Sequence, residues 1–337
     1  MILLVLAAAV AAAQPAKLHT YKDWTVGCDN VRVCQANALE PEGNSDDPLD
    51  LTINRGAMPH DSASLSVTVP DAPQTGARYS IKVDGANAVV FTGNSKAAAS
   101  LPLTGALLAA LRNGQRLTLL DAAGKKLGEV SLAGLAAAFR YMDDQQKRVG
   151  AVGALTASGA KPDAETPAPP AYPVIVTPAP SSKPPRTISV AVATRLIGAD
   201  SAVCDYAHGK VKPRAYRLDA THSLALVDIP CGNGAYNFFT SVYVLDEAGG
   251  VRPARFDLPP GMSERSTKDT GDLTNGDWDP KARRLSSFEK GRGLGDCGTT
   301  ETYAWDGERF RLVEQDEMDE CRGSVDFIRT WIARTTR

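Results

Sequence analysis

The stretch DWTVGCDNVRVCQA (residues 23–36) places Cys28 and Cys34 on either side of a short polar run, with alternating apolar residues leading in and out. Alternation of this kind reads as two strands, and the Asp29-Asn30 pair as the turn between them. The pair of cysteines is then a staple across a hairpin, a metal grip or a redox switch. Zinc sites use C-x(2–4)-C spacing with a matching second pair or two histidines, and thioredoxin-like switches use C-x-x-C. Neither pattern fits a spacing of six. The staple is the favoured reading, and it implies an oxidising compartment.

The whole cysteine set supports it. Cys28 and Cys34 lie in the first half, and Cys204, Cys231, Cys297 and Cys321 in the second, so each half holds an even number. Four cysteines allow three connectivities. The simplest is neighbour pairing, Cys204 with Cys231 and Cys297 with Cys321. At the N-terminus, MILLVLAAAVAAAQP is an apolar run that closes on small residues, so residues 1–13 read as a signal peptide cleaved after Ala13. It carries no Lys or Arg ahead of the apolar run. It is also too short for a membrane span, which takes about 20 apolar residues, and no later stretch is long enough. The expected location is the periplasm or beyond.

Composition fits an exported globular chain. The 337 residues, 43% hydrophobic and 23% charged, exceed what one core usually organises, so two domains are expected. A net charge of -2 gives no attraction to nucleic acid. The boundary falls in residues 159–186, where KPDAETPAPPAYPVIVTPAPSSKPPR (161–186) favours an extended spacer.

Before that spacer, residues 17–158 read as an antiparallel β-sandwich with two packed helices. SLSVTVP (64–70), RYSIKVDG (78–85) and NAVVFTG (87–93) alternate as strands, with Asp84-Gly85 as a hairpin turn. LTGALLAALRNG (103–114) reads as a helix capped by Thr104 and ended by Gly114. SLAGLAAAFRYMDDQQKRV (131–149) reads as a second, capped by Ser131, with Leu132, Leu135, Phe139 and Met142 facing the sheet and Asp143 to Arg148 in solvent. RLTLLDAAGKKLGEVSL between them is a hairpin. After the spacer, residues 187–337 read as an all-β, disulfide-stapled domain with strands at TISVAVATR, HSLALVDI, FFTSVYVLD, VRPARFDL, RRLSSFEKG, TETYAWDG and RFRLVEQD. The fold class is therefore mainly β, α+β overall.

The hairpin at 23–36, the two helical segments, CGNGAYN (231–237) and GRGLGDCGTTETYAWDG (291–307) together resemble the exported six-cysteine bacterial proteins catalogued as domain of unknown function 1176. The likeness runs over nearly the whole mature chain. The first half is also similar to the invasion-associated locus B family, with its D-W-x-V-x-C opening, second cysteine and late helix. The resemblance implies an envelope location in Gram-negative bacteria, structural disulfides and, through the second family, a role toward a host surface. It brings no catalytic residue.

Several clusters are candidates for chemistry. Arg292 and Asp296 sit in the glycine-rich GRGLGDCG, which suits an anion-binding nest or, more simply, a tight connection around Cys297. Asp269, Asp272, Asn275, Asp277 and Asp279 crowd oxygen ligands around a turn, as calcium requires, but without EF-hand spacing, and Asx-rich turns are mostly only turns. Tyr236, Trp278 and Trp305, with Phe238 and Phe239, are aromatic candidates for a ligand groove. Of His19, His60, His208 and His222, the last two share a domain and have Asp205 and Asp228 as possible partners. No hydrolase, metalloprotease or P-loop motif occurs.

The expected function is a non-enzymatic envelope protein that binds an envelope or host-surface ligand, with no cofactor, no metal, no nucleic acid and no membrane span. A periplasmic hydrolase of envelope glycans or peptides, using Asp296 and Glu301 as acid and base, is the first alternative. A thiol-disulfide protein using Cys28 and Cys34 is the second.

Overall fold

The structure, a computed structural model, describes residues 13–41, 49–69, 75–93, 98–198, 211–230, 233–259, 267 and 269–337. Cys204, Cys231, His208, Asp205 and the apolar leader through residue 12 lie outside the described residues, so the expected Cys204–Cys231 pairing is not part of this description.

Ten strands build the N-terminal lobe among the described residues: β1 (His19–Tyr21), β2 (Trp24–Cys28), β3 (Cys34–Ala38), β4 (Leu51–Arg55), β5 (Ala63–Thr68), β6 (Arg78–Val83), β7 (Ala86–Thr92), β8 (Ala98–Pro102), β9 (Arg116–Leu120) and β10 (Lys126–Ser131). They form two antiparallel sheets, β1-β2-β3-β4-β5-β8 and β10-β9-β6-β7. One apolar core joins them, with Trp24, Ile53, Leu65, Ile81 and Leu117 fully buried. The alternation read from the sequence is visible in β5, where Ala63, Leu65 and Val67 face inward. Asp84 and Gly85 both adopt positive φ, as the turn of a tight hairpin requires.

Helices α1 (Gly105–Asn113) and α2 (Leu135–Gln145) pack on this core through Leu107, Leu111, Leu135, Phe139 and Met142. The caps of α1, Thr104 and Gly114, are the expected residues, and the cap of α2 is not. Thr104 occupies the N-cap of α1 without a side-chain bond, and α2 starts after Gly134, because Ser131 still belongs to β10 and uses its hydroxyl on Ala133 N–H. The polar end of α2 is only partly solvated, with Asp144 and Lys147 exposed. Asp143, Gln146 and Arg148 are buried. Asp143 continues the stripe Leu135, Phe139 at a spacing of four, so helical periodicity carries it inward. Its carboxylate meets Arg55 at 3.2 Å and accepts from the Leu155 and Thr156 backbones at 2.8 and 2.9 Å. Arg148 donates to the carbonyls of Pro59 and Met58.

The proline-rich segment is extended but not free. Its strand β11 (Val174–Val176) pairs in parallel with the last strand of the chain, and Ile175 is buried beneath it. The C-terminal lobe then opens with a helix, not the expected strand, at α3 (Val190–Ile197). The alternating V-A-V-A imitates a strand, but Ser189 caps the helix through Val192 N–H, Gly198 ends it at φ 69°, and Ala193 and Ile197, four apart, enter the core.

The rest of this lobe is β. Strands β12 (Pro213–Arg217), β13 (His222–Asp228), β14 (Phe239–Asp246), β15 (Val251–Pro253) and β16 (Asp272–Thr274) form one antiparallel sheet, with β16 also paired to β14. Strands β17 (Asp277–Asp279), β18 (Arg284–Lys290), β19 (Gly298–Trp305), β20 (Phe310–Met318) and β21 (Ile328–Ile332) form a second, and β22 (Arg334–Thr336) is the partner of β11. Leu224, Val244, Phe256, Tyr303 and Phe310 fill the space between the sheets.

The two lobes are docked along a polar seam made by the tail of the chain. β21 lies against the Cys28–Cys34 hairpin. Asn30 behaves as an extra strand residue, donating to Ile332 O at 3.0 Å and accepting from Ile332 N–H at 2.7 Å. Gly27 keeps this contact close: a Cβ would stand 3.0 Å from Ile328 Cγ2 and 2.5 Å from Leu18 Cδ2, so Leu18 would have to move.

Candidate functional site

The opening hairpin is a staple with a docking role. Cys28 pairs with Cys34 directly across β2 and β3, and both are buried. Within the turn, Asp29 accepts from Val31 and Val33 N–H at 3.0 and 2.9 Å with one oxygen, and from Arg329 at 2.9 Å with the other. Arg322 reaches Asp23 at 2.6 Å and the Glu40 and Lys22 carbonyls. Both seam guanidiniums therefore end on a carboxylate. The disulfide fixes the turn that carries Asp29 and Asn30, and so fixes the docking surface.

The glycine-rich loop is a second staple. Cys297 pairs with Cys321, and a Cβ on Gly291 would stand 2.7 Å from the Cys297 sulfur. Arg292 and Asp296 do meet, in a two-pronged pair at 2.7 and 2.5 Å, and the same carboxylate accepts from Gly323 N–H at 2.9 Å. The bonds from Arg292 hold Asp296 below the usual carboxylate range, against its desolvation. Tyr236 joins this cluster through its hydroxyl, which donates to Gly291 O at 3.3 Å. Of the expected binding residues, these three are brought together, as a clamp on the loop that carries Cys321.

Glu301, the other expected acid, is buried in β19. Burial pushes it up to about 8, the charges of Glu289 and Glu317 add to that, and hydrogen bonding to Tyr303 and Ser287 opposes it. Neither Glu301 nor Asp296 lines the cleft over Trp278 and Trp305.

The calcium cluster is dispersed. Asp272 faces inward to Ser241 at 2.6 Å, Asp277 pairs with Arg214, and Asp279 accepts from Lys281 and Ala282 N–H at 2.7 and 2.9 Å. Asn275 turns the chain at φ 48° and donates to the Tyr236 and Phe288 carbonyls, while Asp269 pairs with Arg255. Among the described residues no three metal-ligating side chains converge.

Trp278 and Trp305 are core residues, 3% and 2% exposed, and not the walls of an open groove. Both nevertheless form the floor of a cleft of about 260 Å3 that the sequence reading missed. Its rim is cationic. The β17–β18 turn contributes Lys281, Arg283 and Arg284, and Arg337 comes from the end of the chain beside β22. Thr177, from the segment read as a spacer, builds the wall by donating to Thr336 O. Arg283 sits at φ 55° and donates to the carbonyls of Pro178 and Leu218 at 3.0 and 2.5 Å. Arg284 donates to Thr335 Oγ1 at 2.7 Å and to the Ala282 and Arg283 carbonyls.

No rim cation forms an ion pair with a carboxylate side chain among the described residues. Burial and the charge of Arg337 lower the Arg283 pKa against the pull of Asp219, and burial and the charge of Arg283 lower that of Arg284. Asp219 is committed below the floor. It accepts from Trp305 Nε1 at 2.7 Å and meets His222 Nδ1 at 3.0 Å, so that Asp219, not Asp228, is the partner of this histidine. Desolvation would raise Asp219, but the bonds from Thr221, Trp305 and His222 hold it at about 2. The signal in the sequence was KARR (281–284) after an Asx-turn aspartate, but its meeting with residues 177 and 335–337 is tertiary.

Comparison with known proteins places the chain. Residues 18–336 match the model of the family described as "Protein of unknown function (DUF1176)", and the chain belongs to that family. It is 28% identical to the uncharacterized protein YpfG of Escherichia coli strain K12 over 349 aligned residues, covering 96% of this chain and 94% of the relative. It is also similar to the crystal structure of invasion associated protein B from Bartonella henselae, with 21% identity over 39% of this chain and 99% of that one, at a TM-score of 0.32.

Proposed function

We propose that this protein is a non-enzymatic component of a Gram-negative envelope, exported by the leader at residues 1–13, and that it binds an anionic ligand or partner in the cleft over Trp278 and Trp305. The observation that carries the reading is the rim itself: cations crowded around a cavity, none of them in an ion pair with a described carboxylate side chain. Like charges gathered in a fold cost stability unless a ligand completes them, so such a cluster marks a binding site. The two disulfides support an oxidising compartment. No described helix is long and apolar enough to cross a membrane.

The hydrolase reading has one observation in its favour, the raised Glu301. It stands second because Glu301 is buried and Asp296 is spent on Arg292 and Gly323. The redox reading is weakened by the burial of Cys28 and Cys34, which denies an attacking thiolate access.

The test is to isolate the full chain from the periplasm and measure its mass and its turnover. The expected mature chain starts at Gln14 and leaves labelled peptidoglycan and envelope peptides uncleaved. Hydrolysis that Glu301→Gln abolishes would replace the binding reading with the catalytic one.

A further inference from the structure

We infer that the cationic cleft over Trp278 and Trp305 is a phosphoryl-binding site, taking the dianionic end of a phosphate or phosphomonoester. The inference deepens the binding reading above and rests on it. Three features of the cleft select this chemistry over other anions.

The first is charge density. Arg283 and Arg284 are adjacent in sequence, both part-buried, and Lys281 stands two residues away. A single carboxylate neutralises one of these; a phosphoryl dianion answers two at once and has three equatorial oxygens to share among them. The second is pre-organisation. A guanidinium carries five N–H donors in a rigid fork. Backbone carbonyls hold two of those of Arg283, leaving three for a ligand, and Arg284 spends three, leaving two. The forks are thus fixed before the ligand arrives, which removes much of the ordering cost of binding.

The third feature is the size and lining of the space. About 260 Å3 is small for a drug-sized ligand, for which sites begin near ~300 Å3, but ample for a phosphoryl group with a short attached chain. The wall adds the hydroxyl of Thr335, which accepts from Arg284 and keeps its own proton for a phosphate oxygen, and the tryptophan floor is too covered to offer a stacking face. Sugar stacking is therefore not the mode of recognition here. The carboxylates nearest the cations are already used: Asp279 by the turn that presents Lys281, Asp219 by Trp305 and His222.

Two sources share this chemistry, a soluble phosphomonoester and a lipid headgroup. The experiment is a calorimetric and 31P NMR titration of the full oxidised chain with inorganic phosphate, at constant ionic strength so that general screening is held fixed. Saturable one-to-one binding is expected, weakened at least ~tenfold in Lys281→Gln/Arg284→Gln and unchanged in Arg322→Gln on the seam. Arg283→Gln removes two backbone bonds, so its folding is checked by circular dichroism and Lys281→Gln alone serves as the second variant. Glycerol phosphate and phosphatidylcholine vesicles doped with phosphatidic acid then separate the sources: binding to the first alone assigns a soluble ligand, and flotation with the second assigns a headgroup.

Absence of saturable phosphate binding, or equal affinity in the cleft variants, overturns the inference. Acetate binding as tightly as phosphate overturns the phosphoryl assignment while leaving an anion-binding cleft in place. Hydrolytic turnover in the periplasmic assay is the separate failure that removes the binding reading.

Discussion

The seam and the cleft use the same residue type in opposite ways. At the seam, Arg322 and Arg329 each end on a carboxylate, Asp23 and Asp29, and join parts of the chain some 300 residues apart. At the cleft, Arg283 and Arg284 end on carbonyls and a hydroxyl, and neither forms an ion pair with a described carboxylate side chain. A guanidinium given a carboxylate holds a fold together. One given only backbone keeps its charge available. The difference teaches that the tail of this chain does two jobs within a few residues: β21 locks the lobes, and β22 helps to build the site.

The comparison can be broken or sharpened by substitution, beginning with the largest effect. Replacing Cys297 and Cys321 by serine frees the loop that delivers Arg322 to the seam. In the chain-entropy picture the 24-residue separation costs about 3.5 kcal/mol, against about 2 for Cys28 and Cys34, whose separation is six. Urea denaturation of the two double variants checks the order. Because Cys321 is exposed while Cys28 and Cys34 are buried, graded reductant should open the later bridge first.

Glu301 extends the contrast to anions, as a buried acid facing two others. Its folded pKa of about 8 lies above the unfolded 4.5, so the folded state keeps a proton that the unfolded chain releases. Stability should fall as pH rises from 4.5 to 8 and level off beyond. Asp50 and Asp316, raised to about 6, add to the fall between 3.8 and 6. Asp219, held at about 2, works the other way: its contribution is present above 3.8 and is lost as pH drops toward 2. Glu301→Gln should flatten the upper part of the profile and stabilise the protein by a few kcal/mol at pH 8. A thermal scan across pH with no difference between the two proteins would remove Glu301 from this role.

At the seam, Asp29→Ala deletes one partner of Arg329 and two caps of the turn. About 2 kcal/mol of stability should go, measured by the same denaturation. The smallest effect belongs to the cleft. Lys281→Gln/Arg284→Gln should change stability by no more than about 0.5 kcal/mol without anion, since it trades a few bonds for relief of repulsion.

What the sequence disclosed and withheld follows the reach of each interaction. Alternation exposed β5, β6 and β13, and Asp84-Gly85 marked the β6–β7 hairpin, because these signals are local. The Cys28–Cys34 staple was legible for the same reason. The helix α3 was missed because Val190 and Val192 alternate with alanines, although Ser189 and Gly198 already marked its ends. Asp143 was taken for a solvated residue by its charge, when its spacing from Leu135 and Phe139 put it inside. Trp278 and Trp305 were expected to line an open ligand groove, but both are core residues beneath a cleft. The partnership of Asn30 with Ile332, and of Thr177 and Thr335 with the KARR turn, is set by tertiary packing that no local pattern encodes.

The central claim, that seam cations hold the fold and cleft cations hold a ligand, meets its most direct test in one crossed measurement. Thermal unfolding of the wild type, Arg322→Gln/Arg329→Gln and Lys281→Gln/Arg284→Gln is followed with and without saturating phosphate. The account predicts that the seam variant starts lower and is still raised by phosphate, while the cleft variant starts near the wild type and is not. A cleft variant that starts lower and keeps the full phosphate response would contradict it.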